Sequence, residues 1–219
     1  LPADFARLVV PQLKDLVETD FRKKSIRYKE ISCSSTPRRI YLSISGLPIK
    51  LEDQVQEIKG PPYEQAFKNE LATPAAIGFA KRYGASIDQL QKKQTNKGAF
   101  VFLSITKKGQ SLSAIFLNDV PKWIEGLQGR RFMKWATGSL RFSRPIRWMV
   151  CLFNDEVIPV QLSGSDSLIT ASHISKGNRL IKDSIPIKKI EDYVDLMKQA
   201  GVYVNRDTRK QLINSLVAK

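Results

Sequence analysis

Apolar residues recur at helical spacing from the start of the chain. Phe5, Leu8, Val9, Leu13, Leu16, Val17 and Phe21 share one stripe, which predicts an amphipathic helix over residues 4 to 24. Pro11 lies within it and either kinks the helix or restarts it at a first turn. The pattern then changes to alternation. Ile26 and Tyr28, followed by Ile40, Leu42 and Ile44, predict strands over residues 26 to 33 and 38 to 45 around a Ser34-Ser35-Thr36-Pro37 turn. A third strand is expected over residues 51 to 59, after which Gly60-Pro61-Pro62 breaks any regular element, two prolines removing two amide donors. Thr73 as N-cap and Pro74 at the first helical position open a helix whose small face, Ala75, Ala76, Phe79 and Ala80, runs to a stop near Gly84.

The second half follows the same grammar. A strand from Ala99 to Thr106 leads into an expected hairpin at Lys107-Lys108-Gly109, and helical spacing returns over residues 110 to 127. Strands at residues 145 to 153 and 157 to 162 flank Asn154-Asp155-Glu156. Two helices, 189 to 200 and 205 to 218, are joined by the extended Gly201-Val202-Tyr203-Val204. Strand pairs mixed with helices, without a regular βαβ succession, define an α+β fold of largely antiparallel sheets with packed helices. The expected division is 1–128 and 129–219, or else a single domain, since 219 residues suit one large or two small domains. No internal repeat or low-complexity segment is visible.

Composition narrows the class. Hydrophobic residues make up 42%, with three Trp, six Tyr and ten Phe, which excludes a basic disordered tail. No apolar run approaches the roughly 20 residues of a membrane span. Leu1-Pro2-Ala3-Asp4-Phe5 offers neither an initiator Met nor a secretory signal, so the chain reads as a piece of a longer protein. Cys33 and Cys151 are single and far apart, which indicates neither a disulfide framework nor a zinc ribbon and makes a reducing, cytoplasmic setting the default.

The catalytic inventory is thin. His173 is the one histidine, and Ser172-His173-Ile174-Ser175 alternates like a strand or loop, so a solvent-facing or structural role competes with general-base work. No phosphate-cradling glycine loop or nucleophile elbow occurs. The acidic pairs Glu52-Asp53, Asp155-Glu156 and Glu191-Asp192 are neighbours in sequence, so their side chains diverge as solvated turns or helix ends. Neither a catalytic site nor a metal site is expected.

Charge is the positive signal. The chain carries 36 basic and 21 acidic residues, a net charge of +15, and its sequence pI is about 9.9. Residues 121 to 150 hold seven of the cations against one anion, so 30 residues supply +6. Lys122, Arg130, Arg131, Lys134, Arg141, Arg144 and Arg147 interleave there with Trp123, Phe132, Trp135, Phe142 and Trp148. Guanidinium groups pair with phosphate and aromatic faces stack on unpaired bases, so the composition suits RNA. Seven cations beside one anion repel one another unless a polyanion or another subunit meets them. Trp123 and Trp148 also fit core positions, whereas Trp135 is the candidate for stacking. Arg38 and Arg39 suit either surface ion pairs or phosphate contacts.

An ordered set of short motifs resembles a known family. Thr36-Pro37-Arg38-Arg39, Gly60-Pro61-Pro62, Ala66-Phe67, Thr73-Pro74-Ala75-Ala76-Ile77-Gly78-Phe79-Ala80, Thr95-Asn96-Lys97-Gly98 and Phe142-Ser143-Arg144-Pro145-Ile146-Arg147-Trp148 follow the order of the N-terminal part of the bacterial-type glycyl-tRNA synthetase beta subunit. Leu1-Pro2-Ala3 resembles the end of that family's first motif. There are departures: Arg131-Phe132-Met133-Lys134-Trp135 stands where Lys-Ser-Met-Arg-Trp is usual, and Ser172-His173-Ile174-Ser175 replaces Gly-His-Arg-Phe.

The resemblance implies a non-catalytic partner in a heterotetramer. The alpha subunit would use ATP and Mg to activate glycine, this chain would need no cofactor, and beta would serve tRNA(Gly) recognition and assembly with alpha. It also implies an HD-like region and an anticodon-binding domain further along the family's chains. Arg38, Arg39, Lys122, Arg130, Arg131, Lys134, Trp135, Arg141, Arg144 and Arg147 are the RNA-binding candidates. Two other readings stay open: a basic face that docks on an acidic face of alpha without touching RNA, and a hydrolytic or editing activity built on His173.

Overall fold

In the computed structural model, residues 3–68, 71–96, 98–130, 132–135, 138–163, 167–181 and 183–218 are described. The apolar stripe at the start of the chain forms α1 (Ala3–Lys23), with Pro11 inside it. Val9, Leu13, Val17 and Phe21 are buried, and burial on both sides of Pro11 outweighs the single amide bond that proline forgoes. An antiparallel hairpin follows, β1 (Glu30–Thr36) and β2 (Arg39–Ser45), in register from Glu30–Ser45 to Thr36–Arg39. Its turn is Pro37-Arg38 alone, two residues instead of the expected four. Ser34 extends the strand because its hydroxyl donates to the Val204 carbonyl at 2.9 Å.

The chain divides into two compact units, Leu1–Ile49 with Ser111–Lys219 and Lys50–Gln110, the smaller being an insertion after β2. The expected boundary at 128/129 falls inside the larger unit. The insertion contains β3 (Gln54–Pro62), α2 (Tyr63–Ala66), β4 (Phe67–Lys68), β5 (Leu71–Ala72), α3 (Pro74–Arg82), β6 (Leu90–Thr95) and β7 (Gly98–Lys107). Its main sheet is antiparallel with the order β3-β7-β6.

Gly60-Pro61-Pro62, expected to break regular structure, instead ends β3. The register shifts between Lys59 and Pro62, and β3 is an edge strand, so a bulge absorbs prolines whose missing donors a central strand would need. Gly60 is required there: a Cβ would come 2.8 Å from the Phe79 ring of α3. Thr73 precedes Pro74 as expected, yet its hydroxyl does not cap α3; it donates to the carbonyls of Gln65 and Ala66 at 2.6 and 3.0 Å, tying α3 to α2. Ala66, Ala76 and Val101 form the buried centre, under Tyr63, Phe67, Phe79 and Leu90. The hairpin expected at Lys107-Lys108-Gly109 is absent. β7 pairs backwards with β6 and β3, and β6 escaped the sequence pattern because Leu-Gln-Lys-Lys-Gln-Thr has no apolar alternation.

The larger unit resumes with α4 (Leu112–Glu125), whose Ser111 hydroxyl caps it by accepting from the Ala114 amide. Small strand pairs follow: β8 (Met133–Lys134) with β9 (Arg141–Phe142), β10 (Leu152–Phe153) with β11 (Glu156–Val157), β12 (Gln161–Ser163) with β13 (Leu168–Thr170), and β14 (Ile174–Ser175) with β15 (Ile185–Pro186). The long strand expected over 145 to 153 shrinks to Leu152–Phe153, turned by Asn154 and Asp155 at positive φ. α5 (Tyr193–Gln199) and α6 (Arg206–Val217) fall within the two helices expected at the end. The architecture is α+β.

Phe21 organises this unit, with ring contacts to Tyr28, Phe116 and Trp123, and Phe116 passes the cluster on to Phe153. An ionic staple joins α1 to α4 beside the rings. Lys24 is bound by Asp20 and Asp119, Lys122 reaches Asp119 at 3.1 Å, and the Trp123 indole donates to Asp20 at 3.1 Å. These side chains line a groove of about 540 Å³. Burial pushes the Asp119 carboxyl upward, but the hydrogen bonds and charges of Lys24 and Lys122 prevail and hold it below the ordinary 3.8.

Because the folded carboxyl titrates below its unfolded value, its contribution is full above about pH 4 and is lost as pH falls through the folded value. Asp119→Asn should therefore cost about 1–3 kcal/mol at pH 7. Urea titrations from pH 7 to pH 3 should also show a shallower acid loss for this variant than for the wild type.

Candidate nucleic-acid interface

Local pairing decides which cations are presented. In the hairpin of β8 and β9, Met133 opposes Phe142 and Lys134 opposes Arg141. Alternation turns Phe142 inward, where it is buried, and leaves Arg141 outside beside Lys134. Like charges directly across a strand pair repel. The hairpin is held regardless by the Phe132–Phe142 ring contact and by Trp135, whose indole N–H donates to the Phe142 carbonyl at 2.9 Å. Trp135 is half-buried, and its polar edge is spent on that brace.

Arg130, Lys134, Arg141, Arg144 and Arg147 are exposed. Among the described residues no carboxylate pairs with any of them; Arg141 donates only to the Phe132 carbonyl, at 3.3 Å. Lys122 is exposed too, but its ammonium is engaged by Asp119. Arg131 lies outside the described residues. Arg130, Lys134, Arg141, Arg144 and Arg147 are thus exposed cations without a carboxylate partner among the described residues.

Arg38 and Arg39 behave differently. Arg39 is only 7% exposed. Its guanidinium donates to the Lys176 carbonyl, to the Ser175 and Tyr193 hydroxyls and to the Met197 sulfur, with Nε unpartnered. It is an internal clamp, and the expectation of a phosphate contact is corrected: burial closes it to a ligand. Arg38 is exposed and donates to the Gly177 carbonyl at 3.3 Å. Both guanidinium carbons lie within 6 Å of the Trp148 ring centre, at 5.7 and 5.9 Å. Adjacency in sequence does not reveal that Arg38 lies in the turn, exposed, while Arg39 opens β2 with its side chain buried.

Chemistry beyond ionic contact is sparse. His173 is exposed, and its carbonyl accepts from the Ile187 amide. Cys33 and Cys151 are half-buried, and burial pushes each thiol up to about 11, which keeps both protonated at neutral pH. Among the described residues, no group of three His, Cys, Asp or Glu side chains could hold a metal ion, and no helix is long and apolar enough to cross a membrane. What the described residues present is a set of exposed cations on an α+β scaffold.

Comparison with known proteins agrees with the order of motifs. The family described as Glycyl-tRNA synthetase beta subunit matches residues 1–219, and the chain belongs to that family. It is 38% identical over 218 residues to the glycine–tRNA ligase beta subunit of Trichodesmium erythraeum (strain IMS101), covering 99% of this chain and 30% of that protein. Identity is 40% over 214 residues to the namesake from Picosynechococcus sp. (strain ATCC 27264 / PCC 7002 / PR-6), covering 97% of this chain and 30% of the relative. With the Clostridioides difficile (strain 630) protein it is 32% over 216 residues, covering 97% and 31%. The chain therefore spans just under a third of the length of the curated relatives it matches.

The division between clamp and surface is measurable by stability. Arg39→Lys loses the planar fork and should destabilise the chain by about 2–4 kcal/mol in urea unfolding. Lys134→Gln and Arg144→Gln should each stay within about 0.5 kcal/mol of the wild type.

Proposed function

We propose that this chain is a non-catalytic, RNA-contacting part of the beta subunit of glycine–tRNA ligase. It supports tRNA(Gly) binding and assembly with the alpha subunit in the cytoplasm. Glycine activation with ATP and Mg belongs to alpha. The observation that carries this reading is the cross-strand pair Lys134–Arg141, two exposed cations held face to face with no carboxylate among the described residues to offset them. Such a pair is unfavourable alone and becomes favourable against a phosphate chain, which meets several cations at once. Arg144 and Arg147 extend the same exposed series.

Phosphate contact predicts a salt signature. Filter binding of glycine tRNA to the chain over a salt series should give a log–log slope of roughly 0.9 per phosphate neutralised on duplex-like RNA. Replacing Arg141, Arg144 and Arg147 together by Gln should flatten that slope by about two to three units. An unchanged slope would remove these residues from the RNA contact. If charge reversal at Arg144 and Arg147 instead abolishes co-purification with alpha while RNA binding persists, the segment is a subunit interface.

A further inference from the structure

The inserted unit carries a second surface of a different kind. One face of its sheet is covered, since α2 packs on β7, α3 packs on β3, and Val101 and Leu103 are buried. Register places Phe100 and Phe102 on the opposite face. Phe100 pairs with Lys93, and Phe102 lies between Gln91 of β6 and Lys59 of β3. Both rings remain partly open to solvent, and further along the same face Val55 is 68% exposed. Lysines roof the rings: the Lys59 ammonium sits 3.5 Å from the Phe100 ring centre and the Lys93 ammonium 5.9 Å from that of Phe102. Lys93 is balanced by Glu57, whereas no carboxylate among the described residues pairs with Lys59. The unit as a whole has ten basic and six acidic residues, a net charge of +4.

We propose that the open face of β3-β7-β6 binds unpaired RNA nucleotides, with bases stacked on Phe100 and Phe102 and with Lys59 on the adjoining phosphate. Rings at alternate positions of one strand are separated by about 7 Å, twice the roughly 3.4 Å per-strand step of a stacked duplex. A splayed single strand can match that interval and a duplex cannot. An ammonium already resting on a ring is also suitably placed: when a base takes the π-face, the lysine moves to the phosphate that arrives with it. The sparse apolar area between charged residues does not suit a protein partner, whose buried centre would need contiguous apolar contact. The inference shares RNA as partner with the preceding reading but rests on other residues in the other unit.

The test uses the whole 219-residue chain and a fluorescein-labelled oligouridine of about ten nucleotides, followed by anisotropy at moderate salt. Phe100→Leu with Phe102→Leu keeps apolar bulk and removes the π-faces, and should weaken binding by about tenfold or more. Lys198→Gln, an exposed cation of α5 with no part in either surface, should leave oligouridine affinity within about threefold. In a separate Phe102→Trp variant, the added indole emission should be quenched at saturating oligouridine, a readout that does not depend on the Leu variant folding. The proposal is overturned if the wild type binds no oligouridine, if the Leu variant binds it equally well, or if the indole emission does not respond. A face that retains only a protein partner also overturns it. None of these results alters the salt slope of the basic hairpin, so the two readings fail separately.

Discussion

The larger unit depends on a buried positive charge that has no negative partner among the described residues. Removing a guanidinium from water costs several kcal/mol, and no carboxylate offsets that at Arg39. A fork of donors onto a carbonyl, two hydroxyls and a sulfur does so instead, beneath the indole of Trp148. Those acceptors lie more than 130 residues away along the chain, at 175 to 197. One side chain thereby fixes the start of β2, the loop after β14, α5 and the segment leading out of Arg147. The Tyr41–Tyr193 stack, 5.2 Å apart and nearly parallel, strengthens the same junction. Lysine has a single ammonium and cannot serve acceptors spread in this way.

With that junction set, the remaining charges sort into two populations. In the staple between α1 and α4 two cations have anions: Lys24 is held by Asp20 and Asp119, and Lys122 by Asp119. Those paired charges work as a staple. On the hairpin the reverse holds, because packing of Phe142 and Trp135 enforces a register in which Lys134 and Arg141 must face each other. Apolar contacts therefore hold in place an electrostatic arrangement that would not persist alone. Net charge alone does not separate the two populations; pairing does.

Sequence reading reached the elements whose signal is periodic and local. The stripe from Val9 to Phe21, the helix through Leu112, Phe116 and Trp123, and the final two helices emerge close to where the 3.6-residue spacing puts them. What it missed was decided by partners. Pro61 and Pro62 fit a strand because β3 is an edge, and edge status belongs to the sheet rather than to the tripeptide. β6 has no apolar alternation and exists because β7 offers it a register across the Thr95–Gly98 turn. The concentration of cations in residues 121 to 150 was visible from composition. That Arg39 is internal and Arg38 external was not, since the pair reads as one basic dipeptide until the hairpin puts Arg38 in its turn and Arg39 at the start of β2.

The distribution of aromatic rings sets what each surface can read. In the larger unit Phe21, Phe116, Trp123 and Phe153 form a closed core, Trp135 is spent on bracing a hairpin, and Trp148 is faced by two guanidinium groups. The rings beside the hairpin's described cations, Phe132 and Trp135, are half-buried and help to hold the hairpin. On the proposed reading the hairpin cations would grip a phosphate chain without telling one base from another, because phosphate contacts position a nucleic acid without reading it. Phe100 and Phe102 are the contrasting case, rings that neighbouring lysines cover only with flexible stems. If base identity or strand openness is sensed within these residues, it must be through rings of that kind. On the proposed reading, the basic hairpin would contribute affinity that salt weakens, and the inserted sheet a preference for unpaired nucleotides that salt weakens less.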